Sequence, residues 1–368
     1  MAETAETLEC DVLIVGGGIA GLSLASELAA ETSVVLLEAE ATLAFHTSGR
    51  SAQQLIPSYG PPVVRALTNR TIDALTALSS RAVPLVWPSR FMLVGDAADV
   101  RTHRTDTMRE IGPAHAVGLA PVLRAGSFEA AGLDETSLRT DAAALIEHHR
   151  SLAVARGARI LTGERVRTAQ RDDSDWLVSS SGGTVRARRV VNAAGAWADR
   201  VAEMFGARPI GLVALRRTAA YVDVPCPLDP ATPMVASADH TWYFRPHGDR
   251  VLVSAAEAVP AEAGDAQPVA ADVAALVDRL NSITALGITG VACAWTGLRT
   301  ESADGVPVLG FDPRVEGFLW LAGQGGYGFQ TSTGMAELAA AQLVGREAPF
   351  PDWVVAGLAP RRFVSPPV

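Results

Sequence analysis

The sequence is short of cysteine, of positive charge and of long apolar runs, and each shortage closes off a class of protein. Three cysteines, Cys10, Cys226 and Cys293, lie far apart in 368 residues. They offer neither metal-ligand spacing nor an even disulfide framework, which points to a reducing compartment. No HExxH, CxxC or carboxylate cluster speaks for a metal. The net charge of −9 argues against nucleic acid as the main partner. No apolar run approaches the roughly 20 residues of a membrane span, and the acidic stretch Met1–Cys10 has no signal-peptide pattern. The chain therefore reads as cytoplasmic, with no integral membrane segment. What is plentiful is core material: 48% hydrophobic residues against 19% charged, in a length that suits two domains or one large one.

Two glycine-rich turns near opposite ends share one grammar. Asp11-Val-Leu-Ile-Val-Gly16-Gly-Gly18-Ile19-Ala20-Gly21 reads as buried strand, tight turn and helix start. A second strand, Val34–Glu38, puts Glu38 about 20 residues past the middle glycine, where a carboxylate can hold ribose hydroxyls. Phe318–Ala322 leads into Gln324-Gly325-Gly326-Tyr327-Gly328-Phe329-Gln330-Thr331 and a helix around Met335–Leu343. Each turn aims a helix N-terminus, with free N–H groups and partial positive charge, at something electron-rich. A nicotinamide domain needs only the first turn. A flavin enzyme can use both, one for the pyrophosphate and one for the ring edge that becomes negative on reduction. The strand ending in Val190-Val-Asn-Ala-Ala194-Gly195-Ala-Trp197 permits close packing on a dinucleotide, and with the second turn it tips the reading to FAD.

Elsewhere, helical spacing covers Pro62–Ser79, Ala97–Ile111, Asp141–Arg156 and Val269–Ser282. Strands are read at Arg159–Thr162, Glu164–Arg171, Trp176–Ser179, Thr184–Arg186 and Arg189–Gly195, then at Leu215–Val224, Thr241–Arg245, Arg250–Ser254 and Gly290–Thr296. The stretch Ala255–Ala271 has little pattern and reads as a surface loop. His148 and His149 read as surface residues of a helix, and His240 and His247 flank Tyr243.

The chain resembles the D-amino-acid oxidase family of FAD-dependent oxidoreductases, and within it the bacterial D-arginine dehydrogenases. The likeness rests on His46-Thr-Ser-Gly-Arg50-Ser51-Ala52, Val191–Trp197, Trp295-Thr-Gly-Leu-Arg299 with Asp304-Gly305, and Gln324–Thr331. It implies an α/β fold of the glutathione-reductase-related, D-amino-acid-oxidase type: a Rossmann-like FAD-binding domain over 1–80, 140–210 and 300–368, with an inserted β-rich substrate domain over 81–139 and 211–299. It also implies that Gly16, Gly18, Ile19, Ala20, Gly21, Glu38 and Ala39 bind FAD, with Thr47, Ser48, Arg50, Ser51, Ala52 and Gln53 holding pyrophosphate and the polar ring edge. Val166 would contact adenine, and Ala194, Gly195, Trp197 and Gly325–Thr331 would complete the site.

By the same resemblance Arg299 clamps a substrate carboxylate, assisted by Tyr243 and Arg217, with Tyr59 in the loop above and the Gly326 carbonyl facing the amine. Read without it, Arg299 could pair with Glu301 or Asp304, the Arg216–Arg217 pair could be a solvated strand edge, and Tyr59 and Tyr243 could be packing aromatics. The implied reaction is oxidation of a D-amino acid, by hydride transfer from Cα to flavin N5, to an imino acid that hydrolyses to a 2-oxo acid and ammonia. No residue stands out as a dedicated base, so activity should rise with pH as the substrate amine loses its proton. The chain departs from the D-arginine dehydrogenases in two places. Phe91 stands where they carry an acidic residue and Gln54 where they carry a histidine, which turns the expectation to neutral or apolar substrates. Thr300, Glu301 and Ser302 stand where sarcosine oxidase-like members tether flavin to cysteine, so FAD should be noncovalent. Oxygen or a quinone would then accept the electrons. Two alternatives stay open: a secondary-amine, N-methyl-amino-acid or 2-hydroxy-acid oxidoreductase, and a flavin-binding subunit without turnover.

Overall fold

The computed structural model of the chain describes residues 7–80, 84–105 and 107–363. Parts of the expected domain ranges, 1–6, 81–83, 106 and 364–368, lie outside the described residues, as does most of the Met1–Cys10 stretch.

Leu8–Val15 and Val34–Glu38 are parallel neighbours connected through the helix Ile19–Leu28. Their apolar runs are nearly continuous because both faces of the sheet are covered. Ile14 and Leu36 pack against that helix and against Ser332–Val344, while Leu13 and Leu37 face Trp176, Val201 and Phe205 on the other side. Arg159–Thr162 extends the sheet beyond Val34–Glu38, and Thr184–Asn192 lies on the opposite side of Leu8–Val15. The last parallel place belongs to Phe318–Ala322, which pairs with Val190–Asn192 and so brings the far end of the chain back to its beginning.

A second, nine-stranded sheet is built only from strands between 91 and 134 and between 213 and 301. Its register sorts side chains by face, since paired residues and residues two apart along a strand share one. Phe244 lies opposite Val235 and Val253, and this face packs on Val273, Leu276 and Leu280 of the helix Ala270–Ile283. The other face carries Tyr243 opposite Ser254, Ser254 opposite Ala219, and Ala219 opposite Trp295. Two residues along, the same face shows Arg217 opposite Gly297 and Leu215 opposite Arg299. One side of this sheet is thus largely core and the other is mixed aromatic and cationic.

Several expectations from sequence need correction. The helix read over Ala97–Ile111 ends at His103, and Arg109–Ile111 is an edge strand on Ala131–Leu133. Arg104 turns back to donate to the Met108 carbonyl at 3.0 Å, and sheet pairing overrides the helical spacing. The strand read from Glu164 begins at Thr168, because Glu164 accepts from Ser180 Oγ and Gly182 N–H instead of joining a ladder. Thr184–Arg186 and Arg189–Asn192 are one strand, and Gly290–Thr296 continues to Glu301. The stretch Ala255–Ala271 is not merely surface: Val259–Pro260 pairs with Leu215 and Arg216, and Asp265 is bonded to Arg50.

His149 is a further correction. It is 5% exposed, between the helices Ile19–Leu28 and Ala142–Ala155, with Nδ1 2.8 Å from Ser26 Oγ. Ser26 gives its own proton to the Ser23 carbonyl, so it accepts from Nδ1–H. Burial first, then the nearby His148, lowers the His149 pKa to about 3. The unfolded chain protonates near pH 6.5, so between about 6.5 and about 3 the unfolded state binds more protons and stability falls as pH falls. His149→Leu should flatten the thermal-unfolding midpoint between pH 7 and pH 4, removing a slope of up to roughly 1.4 kcal/mol per pH unit. Wild type and variant melting in parallel over that range would contradict it.

Candidate active site

The site begins where Leu8–Val15 ends. Gly16 has φ +114°, a conformation L side chains rarely adopt, and a Cβ there would stand 2.4 Å from the Ala193 carbonyl oxygen. At Gly21 a Cβ would lie 2.0 Å from the Gly16 oxygen, so the helix closes on the turn only with glycine at that place. Gly18, Ile19 and Ala20 open on a cavity of about 350 Å³ that also runs past Arg299. Ser48 Oγ accepts from Ile19 N–H at 2.9 Å. Glu38 also lines the cavity; Oε2 accepts from Gly17 N–H at 2.7 Å and Oε1 from Glu40 N–H at 2.8 Å, which fixes the carboxylate and leaves lone pairs for further donors. Ala39 and Val166 line the cavity with it.

The middle of the cavity is a seam between the two sheets. Thr47 Oγ1 donates to the Leu298 carbonyl at 2.8 Å, Arg50 Nη1 donates to the Thr296 carbonyl at 2.6 Å, and Trp295 Nε1 donates to the Arg50 carbonyl at 3.1 Å. Arg50 also reaches the Ala266 carbonyl and Asp265, so its guanidinium is engaged with protein groups. Ser51, Ala52 and Gln53 continue the lining, and Gln53 has φ +64°, unusual for a residue other than glycine. Across the cavity stand Ala194, Gly195 with φ +55°, and Trp197, whose ring packs on His46 at 4.7 Å between centroids.

At the far end, Arg299, Arg217 and Tyr243 come from three strands of the nine-stranded sheet onto one face and line the cavity together. Gly297, opposite Arg217, lets the Thr47–Arg50 turn approach the strand, since a Cβ there would touch Arg50 Cβ at 3.7 Å and Thr47 at 3.8 Å. Of the carboxylates nearby, Asp304 is engaged with Arg362 at 2.8 Å and Asp272 with Arg216 at 3.7 Å, while Glu257 accepts from the Thr218 N–H beside Arg217 and Glu301 stands near Arg299. Among the described residues no carboxylate forms an ion pair with Arg299 or Arg217, and Arg217 Nε is buried without a partner. Neither arginine is a solvated strand edge: the strand is paired on both sides at Arg216, whose side chain lies on the opposite face from Arg217. Burial works to lower the Arg299 pKa, but Tyr59, Tyr243 and Glu301 outweigh it and hold the pKa above the ordinary arginine value. Burial and the Arg299 charge hold Arg217 below its ordinary value. An anion is what this pair lacks. Gly326 sits against Arg299, and a Cβ there would be 2.7 Å from Nη1.

The sequence profile of the family described as DAO, FAD dependent oxidoreductase, matches residues 11–342. The chain belongs to this family. Glycine oxidase of Geobacillus kaustophilus (strain HTA426) is 26% identical over 337 residues, covering 85% of this chain and 87% of that protein. Its crystal structure matches with a TM-score of 0.86 at 22% identity, over 98% of this chain and 100% of that one. L-proline dehydrogenase from P. horikoshii matches with a TM-score of 0.87 at 19% identity, over 97% and 98%. L-α-glycerophosphate oxidase from Mycoplasma pneumoniae, solved with FAD bound, matches with a TM-score of 0.81 at 17% identity, over 94% and 97%. The cofactor of this DAO enzyme is FAD.

The glycine cradle, the carboxylate at Glu38 and the helix start at Ile19 form a donor and acceptor set suited to a dinucleotide. Most of the residues expected to bind FAD line the cavity, including Gly325, Gly326, Gly328, Phe329 and Gln330. Gly21, Tyr327 and Thr331 do not. Gly21 acts behind the turn, Tyr327 packs on Tyr59 at 5.3 Å between ring centroids, and Thr331 Oγ1 turns back to the Tyr327 carbonyl. Tyr59 stands behind the lining, next to Arg299 in charge terms. The helix start at Ser332–Gly334 is capped within the protein, Gly334 N–H donating to Thr71 Oγ1, so the glycine turn before it, not the helix end, borders the cavity. Sequence reading passed over Glu40, which joins His46 at 3.1 Å and Arg165 at 3.5 Å beside Glu38; the alternating Glu38-Ala39-Glu40 was the available signal.

Gly326→Ala should displace the Arg299 guanidinium and raise KM for an acid substrate tenfold or more, matching Arg299→Ala, with FAD content unchanged. A Gly326→Ala enzyme with wild-type KM would show that Arg299 does not hold the substrate.

Proposed function

We propose that this DAO-family chain oxidises D-amino acids with neutral or apolar side chains to 2-oxo acids and ammonia. Residues 1–80, 140–210 and 300–368 would hold FAD noncovalently and 81–139 and 211–299 would present the substrate, a division supported by the membership of the two sheets. The observation that carries the reading is the Arg299–Arg217 pair, two guanidinium groups on one sheet face with no carboxylate ion-paired to either among the described residues. A substrate carboxylate completes that set, and a bidentate arginine contact fixes its plane. FAD, when bound, supplies a two-electron acceptor that takes the α-hydrogen as hydride.

The chain's own residues then have distinct tasks. Arg299 and Arg217 bind the carboxylate, with Tyr243 beside them on the same face. The Gly326 carbonyl would accept from the amine, a role favoured by the close packing of Gly326 on Arg299. Beyond Tyr243 the face becomes apolar, with Phe91, Leu93 and Met234 buried around it, so a cationic side chain would lose its hydration without gaining a partner. Gln54, in place of a histidine, gives its amide to Ser89, at 2.8 Å to the carbonyl and 3.2 Å to Oγ. His46 and Glu40 are occupied with each other, which leaves the substrate amine to shed its proton to solvent before oxidation. The cavity lining contains no cysteine, which favours noncovalent FAD.

The same anion clamp would accept a secondary amine, an N-methyl amino acid or a 2-hydroxy acid, and fold relatives include an L-proline dehydrogenase. Anaerobic mixing of the holoenzyme with D- and L-amino acids, glycine, sarcosine, proline and 2-hydroxy acids decides among them. Bleaching of the flavin fastest with neutral D-amino acids, and faster as pH rises, is the expected result; bleaching only by hydroxy acids, or by none, removes it. Admitting air then tells whether oxygen accepts the electrons. Phe91→Glu should shift kcat/KM toward D-arginine and D-lysine by tenfold or more, about 1.4 kcal/mol. Unchanged selectivity would place the side-chain pocket elsewhere.

A further inference from the structure

Arg245 is 2% exposed, yet the sequence gives no reason to bury a guanidinium there. It lies two residues beyond Tyr243 on the strand Tyr243–His247 and so shares its face. Its Nε donates to the Ala52 carbonyl at 3.0 Å, Nη2 to Gln53 Oε1 at 3.2 Å, and Nη1 to the Pro246 carbonyl at 2.9 Å. All three acceptors are neutral, and among the described residues no carboxylate forms an ion pair with Arg245. The titratable groups around it are the phenols of Tyr221 and Tyr243, the imidazole of His247 and a like charge, Arg139. An unpaired buried charge is costly, and it persists only where the structure gains from its position.

What it holds is a strained residue in the cavity wall. Gln53, at φ +64°, is tied at every end: N–H to Ser51 Oγ at 2.9 Å, carbonyl to Thr140 N–H at 3.0 Å, and side chain to Arg245. Left-handed conformations of such residues are costly and collect at functional sites. Ala52 and Gln53 line the same cavity as Arg299.

We propose that Arg245 is a positioning residue for the flavin, fixing the Ser51–Gln53 turn against the ring and lending an unneutralised positive charge that favours the reduced cofactor. This rests on the reading that the turn borders the ring. A fixed charge in a low-dielectric wall acts on charge that develops nearby without reorganising. A merely structural arginine would change stability and leave the redox behaviour alone.

The test is a redox titration of the holoenzyme against a reference dye, with photoreduction and no substrate, so an error in the substrate assignment does not enter it. Arg245→Met should make two-electron reduction at least tenfold less favourable, a potential about 30 mV lower, and should lower kcat while KM stays within twofold. Arg245→Lys should restore the potential, because a cation returns. Wild-type potential in Arg245→Met, with only a lower melting temperature, overturns the proposal. If Arg245→Met does not fold, Gln53→Ala removes the side chain that Arg245 holds: a shifted visible flavin spectrum with lower kcat supports the proposal, and an unchanged spectrum and kcat overturns it.

Discussion

Thr47 Oγ1 and the Leu298 carbonyl, 2.8 Å apart, join residues 251 positions apart in sequence. With the Arg50–Thr296 and Trp295–Arg50 bonds they pin a short turn from the parallel sheet onto the strand that carries Arg299. Each bond is worth about 1 kcal/mol net, somewhat more where the guanidinium donates. Their geometric effect is larger than their energy. They set how far the glycine cradle at Gly16 stands from the guanidinium pair, and so decide that one cavity runs from the one to the other. Asp265, bonded to Arg50, extends the same seam into a loop that carries almost no pattern in sequence.

The second constraint is charge. The face of the nine-stranded sheet that meets this cavity carries Arg217, Arg245 and Arg299 among aromatic and aliphatic side chains, and none of the three has a carboxylate ion pair among the described residues. Cations packed on an apolar face without ion-pair partners raise the local potential, and the apolar surroundings keep water from screening it. Such a wall suits a substrate acid and a cofactor that gains electrons.

The parallel sheet was readable because its signals are local. Leu8–Val15, Ile19–Leu28 and Val34–Glu38 follow from one apolar run, one glycine turn and one carboxylate, and Arg250–Ser254 and Arg159–Thr162 were legible to the residue. What failed was decided by distant partners. Arg109–Ile111 has helical spacing with the preceding segment but a strand to pair with, and His149 looked exposed because the helix that covers it is more than a hundred residues away. Arg299 and Tyr243 were found through motifs. Arg245 was not, although its separation from Tyr243 places both on one face; nothing in the sequence shows that Ala52 and Gln53 wait there as acceptors.

The pairing of Phe318–Ala322 with Val190–Asn192 has a consequence for biosynthesis. While the ribosome is still making residue 300, the edge of Val190–Asn192 has no neighbour, and the turn Gly325–Gln330 that walls the cavity does not exist. Nascent chains up to that point hold a nucleotide-binding half with one open strand edge, the kind of edge that invites wrong pairing. The wall around the cavity is therefore complete only once Phe318–Ala322 has joined the sheet and carried Gly325–Gln330 into place.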